Sequence, residues 1–421
     1  MPDVVIRPVT PEDDFDAQVD LGQRAFGIYS PAQKASWLYA ARLRAQQGMF
    51  LGAFAGQQPA GAAIFHDLRQ WWAGRAVPCA GVASVKVAPE YRGHGTGRRL
   101  MTELLAAIAA RGYPLAALYP ATMPIYRSLG WELAGGRYRA TIPARSLRDL
   151  LAPDAAIAAG SGEEPAVRRA EPAEAAEVVA IIGGAHEAAR DCGPITWDLP
   201  LTERWLSRAD MYTYRTTDGF AAYRWDSGGD DDALFVEHLH AASRDSLRAL
   251  WSVIASHSST ASAVRLYTAP NDPFWWLTRE RDATIAKRSM WMLRVVDAPG
   301  AIAARGFPPA VSLSVPLVIS DRARPANSGR WQLFVSDGKG SLIQNGPVSS
   351  PATAASAPDG GHPGTGGSPA LTVGARGLAA LYAGTPVSTL RLAGLAAGGA
   401  QDADAALDAA FAATPFMVDE F

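Results

Sequence analysis

The stretch GVASVKVAPEYRGHGTGRRLMTELLAAIAA, residues 81–110, carries the clearest structural signal in the chain. Val82 to Val87 has the composition of a β-strand, which Pro89 ends, and a glycine-rich turn follows. After the turn, apolar residues at helical spacing form one stripe: Leu100, Met101, Leu104, Leu105 and Ile108. The pattern predicts a strand, a glycine-rich turn and an amphipathic helix in direct succession.

The turn has the composition of an anion-binding site. Three alternating glycines, Gly93, Gly95 and Gly97, remove side chains at a helix start, where backbone N–H groups and the helix dipole favour a phosphate. Arg92, Arg98 and Arg99 add positive charge. A bound pyrophosphate is therefore predicted, and a glycine-rich connection without a ligand is the alternative. The turn lacks the later acidic residue of a dinucleotide fingerprint and the Gly-Lys-Ser/Thr of a P-loop.

The form Arg92-x-x-Gly95-x-Gly97 after a Val-rich strand resembles the acetyl-CoA signature of the GNAT N-acetyltransferase superfamily. By that resemblance the strand splays from its neighbour, and the backbone groups of Val85 and Val87 pair with the pantetheine amides. The resemblance also places Tyr126, on a short helix that begins at Pro124, beside the thioester sulfur. A tyrosine with a pKa of about 10 can protonate a departing thiolate. A packing role is the alternative for Tyr126.

The sequence also contains an internal duplication. AVRRAEPAEAAEVVAII, from Ala166, echoes the N-terminal VVIRPVTPEDDFDAQVDL, and a later strand, loop and helix parallel residues 83–110. In the second copy AASRDSLRAL, residues 241–250, stands where the first has YRGHGTGRRL. Only the first copy is therefore predicted to bind the ligand. A third region begins near Ala301, and its segment 346–370, rich in Pro, Gly, Ser and Ala, is predicted to be a mobile loop.

The motif, the degenerate second copy, the third region and the ending Met417-Val418-Asp419-Glu420-Phe421 together resemble the Eis (enhanced intracellular survival) family. This resemblance implies an α/β (α+β) fold class: tandem GNAT folds, the second degenerate, followed by a sterol-carrier-protein-like domain. The expected domains are residues 1–145, catalytic; 146–300, GNAT-like without a coenzyme site; and 301–421, which ends in the catalytic C-terminus. The resemblance further implies a homohexamer.

The same resemblance supplies site residues. Those expected along the acetyl-CoA arm are Val85, Lys86, Val87, Arg92, Gly93, His94, Gly95, Thr96, Gly97 and Arg98, with Ala121 and Thr122 near the thioester end. Tyr126 would be the general acid, and the terminal carboxylate of Phe421 the general base. The second assignment requires the tail to thread back into the cleft of the first domain, and a frayed tail is the alternative. Phe26, Trp37 and Glu420 are candidate acceptor contacts, although the two aromatic residues could simply belong to the core.

Composition limits the partners. The formal charge of −2 favours neither nucleic acid nor an anionic membrane, and the chain shows no secretory signal or membrane-spanning run, so a cytoplasmic protein is expected. The two cysteines, Cys79 and Cys192, are expected to be core thiols rather than a disulfide or metal ligands. The histidines His66, His94, His186, His238 and His240 lack metal spacing and receive no catalytic role. The bias toward Arg, Ala, Gly and Pro is typical of a bacterial source.

The predicted function is an acetyl-CoA-dependent N-acetyltransferase without a metal, which passes the acetyl group directly to a small-molecule amine through a tetrahedral intermediate. Several members of the family acetylate aminoglycosides, which links the resemblance to antibiotic resistance. Near Ile28 the sequence lacks the acidic residue expected for a polycationic acceptor. An antibiotic amine, a polyamine, an arylalkylamine and a lysine side chain all stay open. The alternative function is a lipid or hydrophobic-ligand carrier that uses the third domain, with the GNAT part as a scaffold.

Overall fold

The computed structural model describes residues 4–151, 166–226, 232–278, 282–345 and 369–421. The segment predicted to be a mobile loop lies almost entirely outside these ranges. The first repeat has the order β1 (Val4–Pro8), α1 (Phe15–Phe26), α2 (Pro31–Gln46), β2 (Phe50–Ala55), β3 (Gln58–Trp72), β4 (Arg75–Val87), α3 (Thr96–Ala110), β5 (Leu115–Leu118), α4 (Pro124–Arg127) and β6 (Glu132–Pro143).

Local sequence explains where these helices begin. Asp14 caps α1, because its carboxylate accepts hydrogen bonds from two backbone N–H groups of the first turn. Ser30 and Gln33 form a capping box at α2, with Pro31 at the first helical position. The apolar stripe predicted for α3 is fully buried against the sheet. Periodicity therefore identified the buried face of α3 correctly.

The second repeat has a similar succession of elements, with one additional strand, β8, between its first two helices. Its order is β7 (Arg168–Arg169), α5 (Ala175–Ala188), β8 (Cys192–Trp197), α6 (Leu199–Leu206), β9 (Tyr212–Arg215), β10 (Gly219–Asp226), β11 (Ala233–Ala241), α7 (Arg244–Ala255), β12 (Ala263–Thr268), α8 (Phe274–Leu277) and β13 (Thr284–Val295). In this order β10, β11, α7 and β12 correspond to β3, β4, α3 and β5 of the first repeat.

The two repeats share a single 13-stranded sheet. Its order is β1-β2-β3-β4-β5-β13-β6-β12-β11-β10-β9-β7, and β8 pairs with β3. The two repeats therefore exchange strands. Strand β13 of the second repeat lies between β5 and β6 of the first, and β6 pairs with β12 of the second. Domain limits at residues 145 and 300 divide the sequence, but the sheet exchanges strands across the first of them. The exchange fixes the two repeats relative to one another.

The third domain has the order α9 (Ala298–Ala304), β14 (Leu313–Ser320), β15 (Gly329–Ser336), β16 (Lys339–Gln344), β17 (Leu371–Gly374), α10 (Ala375–Tyr382), α11 (Val387–Leu392), β18 (Ala396–Gly398) and α12 (Gln401–Phe411). Its five strands form a second sheet, β16-β15-β14-β17-β18. Its apolar core is continuous with that of the first repeat. A buried ion pair, Arg294 to Asp321 at 2.7 Å, also joins the domains.

Two further properties of the described residues bear on the sequence predictions. Cys79 and Cys192 are free and buried, as predicted for core thiols. Among the helices of the described ranges, none combines the length and apolar character needed to cross a membrane.

Candidate active site

The strands β4 and β5 separate at the centre of the first repeat. Their parallel pairing ends at Val82 and Leu118. Beyond this point the N–H of Ala88 still donates to β3, at 2.9 Å. Neighbouring residues of a strand direct their backbone N–H and C=O groups to opposite sides. Since Ala88 faces β3, the backbone groups of Val87 and Val85 face the opened side. The geometry provides the splay that the sequence motif implies.

A β-bulge accompanies the splay. Ile64 of β3 lies opposite Ala83, but Ala62 lies opposite Lys86, so β4 contains an extra residue here. Ser84, within the bulge, has φ +51°, which is uncommon for a residue with a side chain. The bulge redirects the side chains that follow it.

The glycine-rich turn lies where β4 leads into α3. Gly95 is the N-cap of α3 with φ +80°, in the left-handed region that glycine adopts at little cost. No side chain caps this helix, so the N–H groups of its first turn, Thr96 to Arg98, are available to a ligand. A cavity of about 420 Å³ adjoins the same turn, lined by Ile6, Arg98, Arg99, Thr102 and Glu103. An uncapped helix start beside arginines fits a pyrophosphate.

The remaining predicted coenzyme residues lie around this turn. Arg92 donates to the carbonyl oxygen of Val87 at 3.1 Å, and Arg98 donates to Ser128 Oγ at 2.9 Å. Gly97 serves packing, because a Cβ there would lie 3.2 Å from Ile125. Gly93, His94, Ala121 and Thr122 are exposed: the first two in the turn, the others in the loop after β5.

Tyr126 lies on α4, and only 6% of its surface is exposed. Its ring packs edge-on against Trp131, with the ring centroids 6.4 Å apart. Its hydroxyl has no hydrogen-bond partner among the described residues. Burial raises the pKa of Tyr126 to about 12, so the hydroxyl keeps its proton at physiological pH.

The C-terminal tail runs from α12 back across the sheet. The N–H of Phe416 donates to the carbonyl of Cys192 on β8, and the N–H of Met417 to that of Gly136 on β6, each at 3.1 Å. Gly135 and Gly193 allow this close approach. A Cβ on Gly135 would lie 2.5 Å from the carbonyl oxygen of Pro415, and a Cβ on Gly193 would lie 2.4 Å from the carbonyl oxygen of Phe416. The end of the chain is therefore threaded between elements of both repeats and is not frayed.

The last residues are held by side chains of both repeats. Tyr119, just after β5, donates to the carbonyl oxygen of Asp419 at 2.7 Å, and Trp197 Nε1 donates to its carboxylate at 2.8 Å. The ring of Phe421 lies between the same two residues, 5.6 Å from Tyr119 and 6.3 Å from Trp197, centroid to centroid. It also lies close to Gly81 of β4. The chain terminus thus reaches the region where β4 and β5 separate.

The face of β4 opposite α3 contains a second group of predicted residues. Trp37 Nε1 donates to Ser84 Oγ at 3.0 Å. Lys86 Nζ lies 4.2 Å from the centre of the Trp37 ring and donates to the carbonyl of Gln18 at 2.9 Å. The side chain of Lys86 therefore points toward α1 and Trp37, because the bulge and strand alternation turn it to this face, and a place for Lys86 along the coenzyme arm stays a prediction.

The other predicted acceptor contacts are more dispersed. Phe26, at the end of α1, is 54% exposed and makes no ring contact with Trp37 in the described part of the chain. Ile28 is 92% exposed. Glu420 forms an exposed ion pair with Arg137, whose guanidinium lies 3.4 Å from the centre of the Tyr267 ring. Of the three predicted residues, only Trp37 is fixed against the bulge.

Sequence reasoning missed several residues of the site. Tyr119, Trp197 and His238 hold the tail, yet none belongs to a recognisable motif. Gly135 and Gly136 did leave a signal, because paired glycines inside a strand indicate close approach of another backbone. The others become neighbours only through the strand exchange.

This combination of a splayed, bulged strand and an uncapped glycine-rich helix start, repeated in a degenerate copy and followed by a third domain, defines an N-acetyltransferase of the GNAT class. Residues 5–134 and 196–295 each match an acetyltransferase (GNAT) domain family, and residues 298–418 match a sterol carrier protein domain. Both the tandem GNAT folds and the third domain predicted from the sequence are confirmed.

The N-acetyltransferase Eis of Mycobacterium bovis is 31% identical over 305 residues, which cover 68% of this chain and 71% of that protein. The chain belongs to the Eis family of N-acetyltransferases. A solved GCN5-related N-acetyltransferase from Kribbella flavida is 40% identical, with a TM-score of 0.85, and covers 100% of this chain and 98% of its own. Eis1 from Mycobacterium abscessus, 22% identical with a TM-score of 0.74 and full coverage of both chains, shares the fold.

Proposed function

We propose that the protein transfers the acetyl group of acetyl-CoA to the amino group of a small molecule in the cleft between the first repeat and the C-terminal tail. The observation that carries the proposal is the convergence of three features at one place. The opened edge of β4 begins at Val82, Tyr126 belongs to the same apolar cluster as Val82 and Leu118, and the ring of Phe421 lies against Tyr119 and Gly81.

Acetyl-CoA, when bound, supplies an activated acyl group on a thioester. The chain's own residues would hold it by the uncapped N–H groups of α3 and by Arg98, with the backbone of Val85 and Val87 along its arm. Phosphate oxygens gain both hydrogen bonds and a favourable dipole at such a helix start. The exposed loop that contains Ala121 and Thr122 would lie near the thioester end.

Phe421 would act as the base. At neutral pH a free amine is mostly protonated, so a proton must leave the nitrogen before it can form a bond to the acetyl carbon. The α-carboxylate of Phe421 is a proton acceptor without a long side chain to position. Contacts of Asp419 and Phe421 with Tyr119 and Trp197 hold this end of the chain in place.

Tyr126 would act as the acid. Its raised pKa keeps the hydroxyl protonated, and its lack of a protein partner leaves the proton available to the departing thiolate. Exchange of this phenol for Phe removes the proton and little volume.

The acceptor would be a monoamine with an apolar or aromatic body. Trp37 offers a ring on the acceptor side of the bulge, and Phe26 and Ile28 expose apolar surface where a polycationic acceptor would need carboxylates. Burial lowers the pKa of Lys86 to about 7, so at neutral pH its amine is positively charged in part of the molecules, which disfavours further positive charge against the same ring. Arylalkylamines fit these groups better than aminoglycosides do.

The test is release of coenzyme A thiol with acetyl-CoA and a panel of arylalkylamines, polyamines, aminoglycosides and lysine peptides. We expect kcat/KM to be highest for an arylalkylamine. The absence of turnover with every amine would contradict the proposed transfer, and preference for an aminoglycoside would contradict only the acceptor class.

The variant Tyr126→Phe tests the role of Tyr126 as the acid in the same assay. We expect kcat to fall by about 10²-fold or more, with acetyl-CoA affinity nearly unchanged, because only a proton donor is lost. Tyr113→Phe, a buried tyrosine packed against Phe65, is the matched control and should retain wild-type kcat. Wild-type kcat in Tyr126→Phe would leave this residue a packing role.

Assembly as a homohexamer and a part in antibiotic resistance are proposed on the family resemblance alone, and location in the cytoplasm is proposed on the sequence. Light scattering on the purified protein tests the first directly.

A further inference from the structure

A cavity of about 240 Å³ lies where the first repeat meets the third domain. The first repeat contributes residues 127–130, at the end of α4 and in the turn after it. The third domain contributes the loop after β14, the start of α10 and the turn after α11. Neither Tyr126 nor Phe421 lines this cavity, so it is separate from the place proposed for acetyl transfer.

The cavity is lined by arginines of both domains. Arg127 and Arg376 bind the buried carboxylate of Glu132, at 2.7 Å and 2.6 Å, and in each guanidinium Nη1 has no hydrogen-bond partner among the described residues. Arg322 is exposed, and its side chain forms neither an ion pair nor a hydrogen bond within the described ranges. Two guanidinium groups therefore share one carboxylate, and a third has none.

A fourth guanidinium lies behind the wall of the cavity. The side chain of Arg294 is 0% exposed and forms the buried ion pair with Asp321. Its Nε is buried without a hydrogen-bond partner, and it lies 3.0 Å from the position that a Cβ on Gly130 would take. Gly130 itself lines the cavity. Only a glycine therefore separates this unpaired N–H group from the cavity.

The start of α10 opens into the same space. Gly374 is the N-cap of α10, and no side chain caps the helix. The N–H groups of its first turn, residues 375–377, are therefore available to a ligand, and all three residues line the cavity. The positive end of the helix dipole adds to the charge of the arginines. Available N–H groups and positive charge together form an anion site.

The charges around the cavity indicate the class of anion. Four guanidinium groups and two carboxylates surround it, and they belong to Arg127, Arg294, Arg322 and Arg376 and to Glu132 and Asp321. The surplus is therefore positive. A phosphate monoester carries about −1.5 to −2 charges at pH 7 and offers three oxygen atoms as acceptors, so it matches both the charge and the donors.

The cavity adjoins the predicted pyrophosphate site. Ser128 lines the cavity, and its hydroxyl accepts a hydrogen bond from Arg98, in the first turn of α3, at 2.9 Å. In coenzyme A the pyrophosphate and a phosphate monoester are attached to the same ribose, at its 5′ and 3′ positions. The two anionic groups of the coenzyme thus correspond to two adjacent sites of the protein.

We propose that the cavity binds the 3′-phosphate of the coenzyme, a proposal that rests on the proposed function. Arg322, Arg376 and the first turn of α10 are its contacts from the third domain. This domain thereby takes part in coenzyme binding, and the protein discriminates coenzyme A from its 3′-dephospho form.

Calorimetric titration at low ionic strength tests the proposal with coenzyme A and with 3′-dephospho-coenzyme A, which lacks only this phosphate. We expect wild type to bind coenzyme A about tenfold or more tightly than the dephospho form. Arg322→Glu should raise the Kd for coenzyme A by about fivefold or more and that for the dephospho form much less, because repulsion falls with distance and is screened by salt. Lys339→Glu, the same change of charge at the far end of the second sheet, is the matched control and should behave as wild type.

The outcomes separate the two proposals. Equal affinity of wild type for the two coenzymes would overturn the assignment of the cavity, whether or not inorganic phosphate alone binds. An equal loss of affinity for both coenzymes in Arg322→Glu would also overturn it. Arg322 is exposed and unpaired within the described ranges, so its exchange should leave the melting temperature unchanged. Failure of wild type to bind either coenzyme would instead contradict the proposed function itself.

Discussion

The two repeats have the same fold but differ where the helix after the central strand begins, at α3 in the first and α7 in the second. In the first repeat Gly95 leaves the N–H groups of α3 uncapped. In the second, Ser243 caps α7: its hydroxyl accepts from the N–H of Ser246 at 3.3 Å and donates to Asp218 at 3.1 Å. A capped helix start with a carboxylate beside it repels a phosphate. The two helix starts thus differ in a few side chains and not in the fold.

The strand geometry did not degenerate along with the turn. In the second repeat β11 has a bulge at Glu237, between the pairs that Val236 and His238 form with β10, and its pairing with β12 ends at Val236. The opened edge is filled by the tail, whose Phe416 and Val418 pack against Tyr267 at the end of β12 and Ala269 just after it. The splay of the second repeat therefore holds the C-terminal tail, and that of the first is the proposed coenzyme site.

The largest effect is expected from blocking the end of that segment. Addition of a single Gly after Phe421 converts its carboxylate to an amide and moves the charge by up to about 3.5 Å. We expect kcat to fall by about 10²-fold or more, since misplacement on this scale removes the alignment of base and amine. Deletion of Phe421 should do similar harm, and a Gly added at the N-terminus should not.

Melting temperature and oligomeric mass must match wild type for this comparison, because the tail also joins the domains. Full activity in a folded, extended protein would exclude Phe421 as the base.

A smaller effect is expected from giving the first repeat the charge of the second. Gly95→Asp places a carboxylate at the start of α3, and Gly95→Asn is the neutral control of equal size, since both residues tolerate a positive φ better than others. We expect the Kd for acetyl-CoA to be at least about tenfold higher for Asp than for Asn, because the ligand there is an anion. Calorimetric titration of wild type should give one coenzyme per chain. Equal affinities, or two sites, would contradict the comparison.

The smallest effect concerns the residue that follows each bulge, Lys86 in the first repeat and His238 in the second. Burial lowers the pKa of Lys86 to about 7, from about 10.5 in the unfolded chain. Between these values the unfolded chain binds more protons, so the free energy of unfolding attributable to Lys86 rises with pH, by at most about 1.4 kcal/mol per pH unit. Relative to Lys86→Met, wild type should therefore gain stability from pH 7 to 10.

Thermal unfolding across this pH range measures the effect. Lys339→Met, at an exposed lysine of the third domain, is the control and should follow wild type. A constant difference between Lys86→Met and wild type would show that Lys86 is charged in the folded protein.

Several features could be predicted from the sequence because their physics is local. The strand before Pro89, the glycine turn and the apolar stripe of α3 need only neighbours along the chain. The absence of glycines in residues 241–250 likewise predicted that the second turn differs, and Ser243 shows how. The resemblance of the chain ending pointed to tail insertion, although no local rule required it.

The remainder depended on contacts between residues far apart in sequence. The exchange of β6 and β13 follows from pairing energies of complete strands, which no short pattern encodes. The side chain of Lys86 points toward α1 because one bulged residue shifts the register of β4. His238 lies near Asp419 only because the tail lies over Gly135 and Gly136. Sequence alone determined the local elements and the uncapped glycine-rich turn, since backbone and side-chain preferences act over a few residues. Only the tertiary structure decided which distant side chains share the cleft, because their positions depend on the packing of the whole sheet.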